Sequence, residues 1–285
     1  MLYPTADAWR AAPNKRVMVF GMSGLGKTHM STILRDTGNW FHYSIDYRIG
    51  TRYMGEYIVN SCIKAAMDHP YLREMLRQDA IYLAPNVHTH DLGAVSTYLG
   101  KPGNADAGGL SFEEYTVRQD QFREAEIAAL NDTRYFADRG QNLYGYPHFI
   151  CDTGGSICEW VEATDDSDTL MSKLSATCLP VWIKGNDAHT SELISRFDKS
   201  PKPMAYQPTF LAKAWGEYLS ENNISGNEVN PNSFVRWTYA RALAHRQPRY
   251  EAMARWGITV NADEVAGLKS AADFDHLIVE AIGRM

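Results

Sequence analysis

The sequence predicts an α/β fold of three layers, a parallel sheet of about five strands with helices on both faces. Three observations predict it. Short runs of β-branched, aliphatic and aromatic residues recur along the chain, each closed by Gly, Asn or Asp. Longer segments with helical spacing separate them, the alternation that produces a parallel sheet covered on both sides. The first apolar run enters a glycine-rich loop that opens directly into a helix.

In chain order, "RVMVFG" at 16–21 reads as the first buried strand and "KTHMSTILRDTG" at 27–38 as the helix after it, stopped near Gly38. "WFHYSID" at 40–46 is the second strand. Residues 52–80 carry helical spacing at Tyr57, Ile58, Cys62, Ala65, Ala66, Leu72, Met75 and Leu76, and Pro70 divides them into two helices. Residues 81–109 are rich in Gly, Pro, Asn and His and read as loop, with "GKPGNADAGG" as its mobile part. Ser111 followed by Glu114 is a capping-box pattern that opens a helix over "SFEEYTVRQDQFREAEIAALND". "YPHFICDTGG", "CLPVWIKG" and "GITVNAD" are the third to fifth strands, and "ADFDHLIVEAIGRM" is a closing helix. No internal repeat or low-complexity tract interrupts the pattern.

Composition narrows the function. Hydrophobic residues at 45% and charged residues at 22% are ordinary globular values for a chain of 285 residues. A net charge of -6 and a pI near 5.8 argue against a general nucleic-acid binder, which needs a basic excess. No apolar run approaches the roughly 20 residues that span a bilayer. "MLYPTADAWRAAPNKR" lacks a charged start followed by an apolar stretch, so no signal peptide is expected. Cys62, Cys151, Cys158 and Cys178 form no CxxC pair, which fits reduced thiols in a cytoplasmic protein. "HTH" at 88–90, beside Asp91, lacks paired ligand spacing and is not read as a metal site. Trp237, Tyr239 and Trp256 read as core.

The loop carries the chemistry. Gly21, Gly26, Lys27 and Thr28 complete G-x-x-x-x-G-K-[ST] between a strand and a helix, which makes the expected fold a P-loop NTPase three-layer sandwich. Backbone N–H groups of such a loop turn inward around phosphate oxygens, and Gly21, Gly24 and Gly26 permit the approach. The nucleotide is expected against Gly21, Ser23, Gly24, Leu25, Gly26, Lys27, Thr28 and His29. Lys27 reaches the β- and γ-phosphates, and the Thr28 hydroxyl ligates Mg²⁺. Asp152 ends an apolar strand where a second acid would hold Mg²⁺ through water; its other reading is a turn-forming Asp before Gly-Gly. No N-K-x-D motif reads guanine, so ATP is expected. Asp46 is a candidate to accept a hydrogen bond from, or the proton of, an attacking hydroxyl; its other reading is a strand-end cap. Arg48, Arg246 and Arg249 add positive charge suited to a carboxylate or phosphate, or lie solvated on the surface.

The order of motifs resembles the shikimate kinase family of P-loop small-molecule kinases. Asp46, with Ile49 three residues on, matches that family's acceptor-binding aspartate. "QFREAE" supplies Phe122, Arg123 and Glu126 of its F-R-x-x-E stretch, whose arginine grips the acceptor's carboxylate; from its helix neighbours Glu124 and Glu126 alone, Arg123 reads equally as an exposed ion-paired face. "DTGGS" supplies Gly154 and Gly155 of the turn that approaches the acceptor. Arg196 matches a nucleotide-facing arginine, and Arg246 the arginine of R-x-P-x-Y. The chain departs from the pattern at Ser44, where the family carries a further aspartate, at Ser156 in place of a third glycine, and at Lys202-Pro203, where the lid normally offers Arg-Pro. It also has added material near 64–110 and 204–235.

The resemblance implies one domain over 1–285, with a helical insertion at 52–145 on the acceptor side and a lid with an inserted helix at 185–235. It implies an ATP- and Mg²⁺-dependent phosphotransferase acting on a hydroxyl of a small anionic molecule, with Lys27 and Asp46 catalytic and Lys202 stabilising the transferred group. A nucleoside or nucleotide kinase, and an ATP-hydrolysing regulatory P-loop protein without a small acceptor, are the alternatives. Neither nucleic acid nor membrane is an expected partner, and oligomeric state is left open.

Overall fold

The computed structural model describes residues 2–88, 92–162, 165 and 167–285. Of the "HTH" stretch and the adjoining acid, Thr89, His90 and Asp91 lie outside the described residues. Five strands form one sheet: β1 (Arg16–Phe20), β2 (Trp40–Ser44), β3 (His148–Asp152), β4 (Leu179–Lys184) and β5 (Ile258–Asn261). Their order is β2-β3-β1-β4-β5 and every pairing is parallel. The helices are α1 (Ala6–Ala11), α2 (Lys27–Arg35), α3 (Ile45–Arg48), α4 (Gly55–Ala66), α5 (Pro70–Arg77), α6 (Gly93–Leu99), α7 (Phe112–Asn131), α8 (Thr133–Asn142), α9 (Thr169–Thr177), α10 (Asp187–Lys199), α11 (Pro208–Asn222), α12 (Pro231–Ala254), α13 (Ala262–Ala266) and α14 (Ala271–Gly283).

The described chain divides into two compact units. The first comprises residues 1–45, 130–201 and 236–285 and contains the whole sheet. Strand alternation assigns its two faces. Phe41, Tyr43 and Phe149 stack with one another and with Phe136 of α8, so these positions face α8. His42, Ser44 and Asp152 alternate to the opposite face, where Thr28 of α2 meets Asp152. One layer therefore contains α2, which also packs on α14; the other contains α8, which also packs on α9. Val17, Met18, Val19, Phe20, Ile150 and Val181 are buried in the middle, with β1 at the centre of the sheet.

The second unit comprises residues 46–129 and 202–235. The expected insertions at 52–145 and 185–235 thus overlap it with different bounds, because α8, β3's approach and α10 belong with the sheet. Pro70 divides the expected helical stretch as anticipated, occupying the first position of α5 where its missing N–H costs nothing. Phe112 of α7 stacks on Trp215 of α11, whose ring packs edge-on to Phe234. Tyr115 and Gln119 both donate to the Met204 carbonyl, and Gln119 accepts from the Tyr206 N–H, tying the 202–207 segment to α7.

Five local expectations need correction. The second strand ends at Ser44, and Ile45 to Arg48 turn helical and continue into a π-helical turn, Ile49–Tyr53, so Asp46 sits in a helix rather than at a strand end. The 81–109 loop contains α6, whose Val95 and Leu99 are buried. "GKPGNADAGG" is pinned: the Gly103 N–H donates to the Leu110 carbonyl, the Leu110 N–H to the Lys101 carbonyl, and the Asn104 N–H to the Val229 carbonyl. The Ser111 capping box is half formed, since Ser111 accepts from the Glu114 N–H while the Glu114 carboxylate takes Arg118 instead. Of three aromatics read as core, Tyr239 is buried and Trp237 and Trp256 are half-buried.

Candidate nucleotide site

The glycine-rich loop leaves the carboxyl end of β1, the central strand, and enters the N-terminus of α2. The chain crosses from β1 toward β2 and β3 on one side and toward β4 and β5 on the other, so the loop occupies the point where strand order reverses. Parallel sheets place ligand crevices there. Two glycines show why the motif needs them. Gly21 has φ +142°, and a Cβ there would lie 2.7 Å from the Ile183 carbonyl oxygen of β4. Gly26 has φ +102°, and its Cβ would strike Val265 of α13 at 2.7 Å. Only glycine lets the loop coil this tightly against its neighbours.

The remaining loop residues have distinct surroundings. Ser23, Gly24, Thr28 and His29 are exposed, whereas Leu25 is buried and packs against Gly185. The ammonium of Lys27 is buried and donates to the carbonyls of Gly21 and Met22 at 2.8 and 3.0 Å. The His29 ring turns toward the Leu268 carbonyl, 3.1 Å away, so only its backbone is left to serve the loop. Arg196 of α10 stands beside the loop, its Nη2 3.5 Å from where a Gly24 Cβ would be, with Glu192 3.5 Å from its Nε.

Asp152 closes the other side. In register it lies between Val19 of β1 and Ser44 of β2. Its Oδ2 is 3.5 Å from Thr28 Oγ1 and 3.9 Å from His42 Nε2. Asp152 thus stands one strand over from Ser44, at the same level of the sheet. This pair suits Mg²⁺, which takes one or two protein oxygens and keeps its remaining positions for phosphate and water. Among the described residues no cluster of three or more His, Cys, Asp or Glu is placed to hold a metal ion.

The turn after β3 is held from α12. Gly155 approaches Ser23 of the loop, its Cβ position 3.3 Å from Ser23 Oγ. The Gly155 carbonyl accepts from Arg246 Nη1 at 3.0 Å and from the Tyr250 hydroxyl at 2.6 Å. Arg246 Nε donates to Glu159 Oε1 at 2.6 Å, and His245 Nε2 lies 3.3 Å from the other carboxylate oxygen. Arg249 donates to the carbonyls of Cys158 and Val161. Burial raises the Glu159 carboxyl, but the Arg246 charge and the His245 contact outweigh it and hold the group below its usual range. Burial also pushes the Cys158 thiol up to about 12. Arg246 and Arg249, expected as acceptor contacts, are thus engaged with the 155–162 segment. Gly154 is buried in the same turn.

Asp46, Arg48, Arg123 and Lys202 belong to the second unit. Arg48 lies over the Tyr53 ring, 5.4 Å from its centroid. Arg123 pairs with Asp120 at 3.2 Å on the half-exposed face of α7. Lys202 is exposed. His42, Glu159 and Tyr250 were not singled out by the sequence. Tyr250 had a signal, four residues after Arg246 on one helix face; the partners of the other two are set by tertiary packing.

Loop, sheet order and the Thr28–Asp152 pair define a P-loop α/β fold of the nucleotide-binding type. No family model and no curated protein matches the chain. A solved shikimate kinase from Bacteroides thetaiotaomicron is similar over 95% of this chain and 95% of its own, at 16% identity and a TM-score of 0.38. That likeness is loose, and the fold assignment rests on the sheet and the loop. None of the described helices is long and apolar enough to cross a membrane.

Proposed function

We propose that this protein is an ATP-dependent phosphotransferase that moves the γ-phosphoryl group to a hydroxyl of a small anionic molecule. The observation that carries the nucleotide half is the approach of Asp152 Oδ2 to Thr28 Oγ1 at the mouth of a complete phosphate loop. The loop N–H groups and the α2 N-terminus bind the phosphates, and Lys27 exchanges its loop carbonyls for β- and γ-oxygens. Mg²⁺, when bound by Thr28 and through water by Asp152, offsets charge on the β- and γ-phosphates. Arg196 serves the nucleotide from beside Gly24, and Lys202 the transferred group.

For the acceptor, Asp46 accepts the hydrogen bond of the attacking hydroxyl, and Arg48 and Arg123 hold its negative charge. Arg246 serves the same end indirectly by fixing the Gly154-Gly155 turn, and Arg249 by holding the Cys158 and Val161 carbonyls of the segment after it. Support for this half comes from the order of motifs in the sequence. The test is an ATP/Mg²⁺ assay against a panel of hydroxy acids, sugars and nucleosides. Phosphorylated hydroxy acid is the expected product; product from nucleosides alone moves the assignment to a nucleoside kinase. ATP hydrolysis that no acceptor alters points to a regulatory ATPase.

A further inference from the structure

His42 is a buried histidine at an unusual place. Its side chain is 9% exposed, and among the described residues its Nε2 has no hydrogen-bond partner. Buried polar atoms are nearly always paired, so an orphan needs an explanation. The surroundings supply one. β-strand alternation puts His42 and Ser44 on the face of the sheet covered by α2, and Asp152 sits level with Ser44 on the neighbouring strand. Nε2 is aimed at Asp152 Oδ2 from 3.9 Å, and Thr28 Oγ1 approaches that same oxygen from 3.5 Å. Both gaps are longer than an ideal hydrogen bond, and a rotation of the carboxylate shortens either.

We infer that His42 is a positioning residue: its Nε2 holds the Asp152 carboxylate in the orientation that receives a magnesium-bound water. The inference rests on the nucleotide half of the proposed function. A carboxylate that acts through water needs its plane fixed, because either lone-pair direction would otherwise be available. A nitrogen on the strand next door does this without entering the metal's own shell. A histidine kept here only for packing would be expected to find a partner or give way to an apolar side chain, since an orphaned buried nitrogen costs stability.

The test measures binding of the non-hydrolysable β,γ-imido analogue of ATP by calorimetry, with Mg²⁺ and with EDTA, on the full chain. In the wild type, Mg²⁺ should tighten binding and Asp152→Asn should abolish the gain. His42→Phe should reduce the Mg²⁺-dependent gain by about 10–100-fold, the usual loss when an outer partner of a metal site is removed. Its affinity in EDTA should be unchanged and its melting temperature no lower. His42→Gln, which restores a nitrogen near Nε2, should recover most of the gain; His42→Asn, whose amide falls near Nδ1, should not. An undiminished Mg²⁺ gain in His42→Phe, or in His42→Asn if the first variant does not fold, overturns the inference while leaving the magnesium site standing. Failure of Gln to do better than Asn overturns it too. If the wild type shows no Mg²⁺ gain, or Asp152→Asn keeps it, the magnesium assignment itself fails and the inference falls with it.

Discussion

Arg246 and Glu159 form an ion pair at 2.6 Å with the carboxylate fully buried and the guanidinium nearly so. Breaking one side of such a pair leaves a charge without a partner in a site that cannot hydrate it. Arg246→Met should therefore destabilise the protein by about 3–5 kcal/mol. Adding Glu159→Leu to that variant should recover much of the loss, which urea melts of the single and double variants will show. Recovery failing entirely would mean that the bond to the Gly155 carbonyl matters more than the pair.

Lys27→Ala should lower turnover by about 10²–10³-fold, the scale for removing a preorganised charge from a transition state. Arg123→Ala should raise the KM for the acceptor and leave ATP affinity nearly intact. Steady-state kinetics in both substrates separates the two effects.

His148 links stability to pH. Its Nδ1 accepts the Lys15 N–H at 3.1 Å, which requires the neutral ring. Burial lowers its pKa from the ordinary 6.5, and the Lys15 charge adds to the effect against an opposing pull from Asp275. The unfolded chain thus binds a proton here before the folded one does, so stability falls as pH drops below about 6.5. His148→Asn keeps an acceptor near Nδ1 without titrating, and it should flatten denaturation midpoints measured between pH 5 and pH 7.

Thiol reactivity should divide sharply. Cys62 is exposed, while Cys151, Cys158 and Cys178 are buried. Burial raises all three buried thiols, so little thiolate is available to react. An aromatic disulfide reagent should titrate Cys62 alone in the folded protein, and all four cysteines of the chain in denaturant.

In the second unit, Gly103 has φ +142°, and a Cβ would lie 2.4 Å from the Val229 carbonyl oxygen. Gly103→Ala should cost more than about 1 kcal/mol in stability. Gly108, whose Cβ would meet nothing within 4 Å, is the control for positive φ alone.

The sheet was legible because each strand is a short apolar run closed by a breaker, and burial on both faces demands that composition. The phosphate loop was legible because its glycines answer a geometric need that other residues cannot meet. α6 was not, since it begins at Gly93 and includes Val95 and Thr97, poor helix formers; burial of Val95 and Leu99 overrides that preference. Asp46 was misplaced because the strand runs straight into a helix at Ser44–Ile45, with no Gly or Pro to mark the boundary. At the site, Thr28 and Asp152 could be read from motif and strand end, but the engagement of Arg246 with Glu159 joins positions 87 apart in the chain.

The doubly bonded Gly155 carbonyl has a consequence on its far side. A trans peptide is planar, with its oxygen and its hydrogen pointing in opposite directions. With Arg246 and Tyr250 both drawing on that oxygen, the Ser156 N–H is turned away from them. Withdrawal of electron density by a cation at one end of an amide strengthens the proton at the other. Whatever accepts from Ser156 therefore meets a donor sharpened by a guanidinium it never touches.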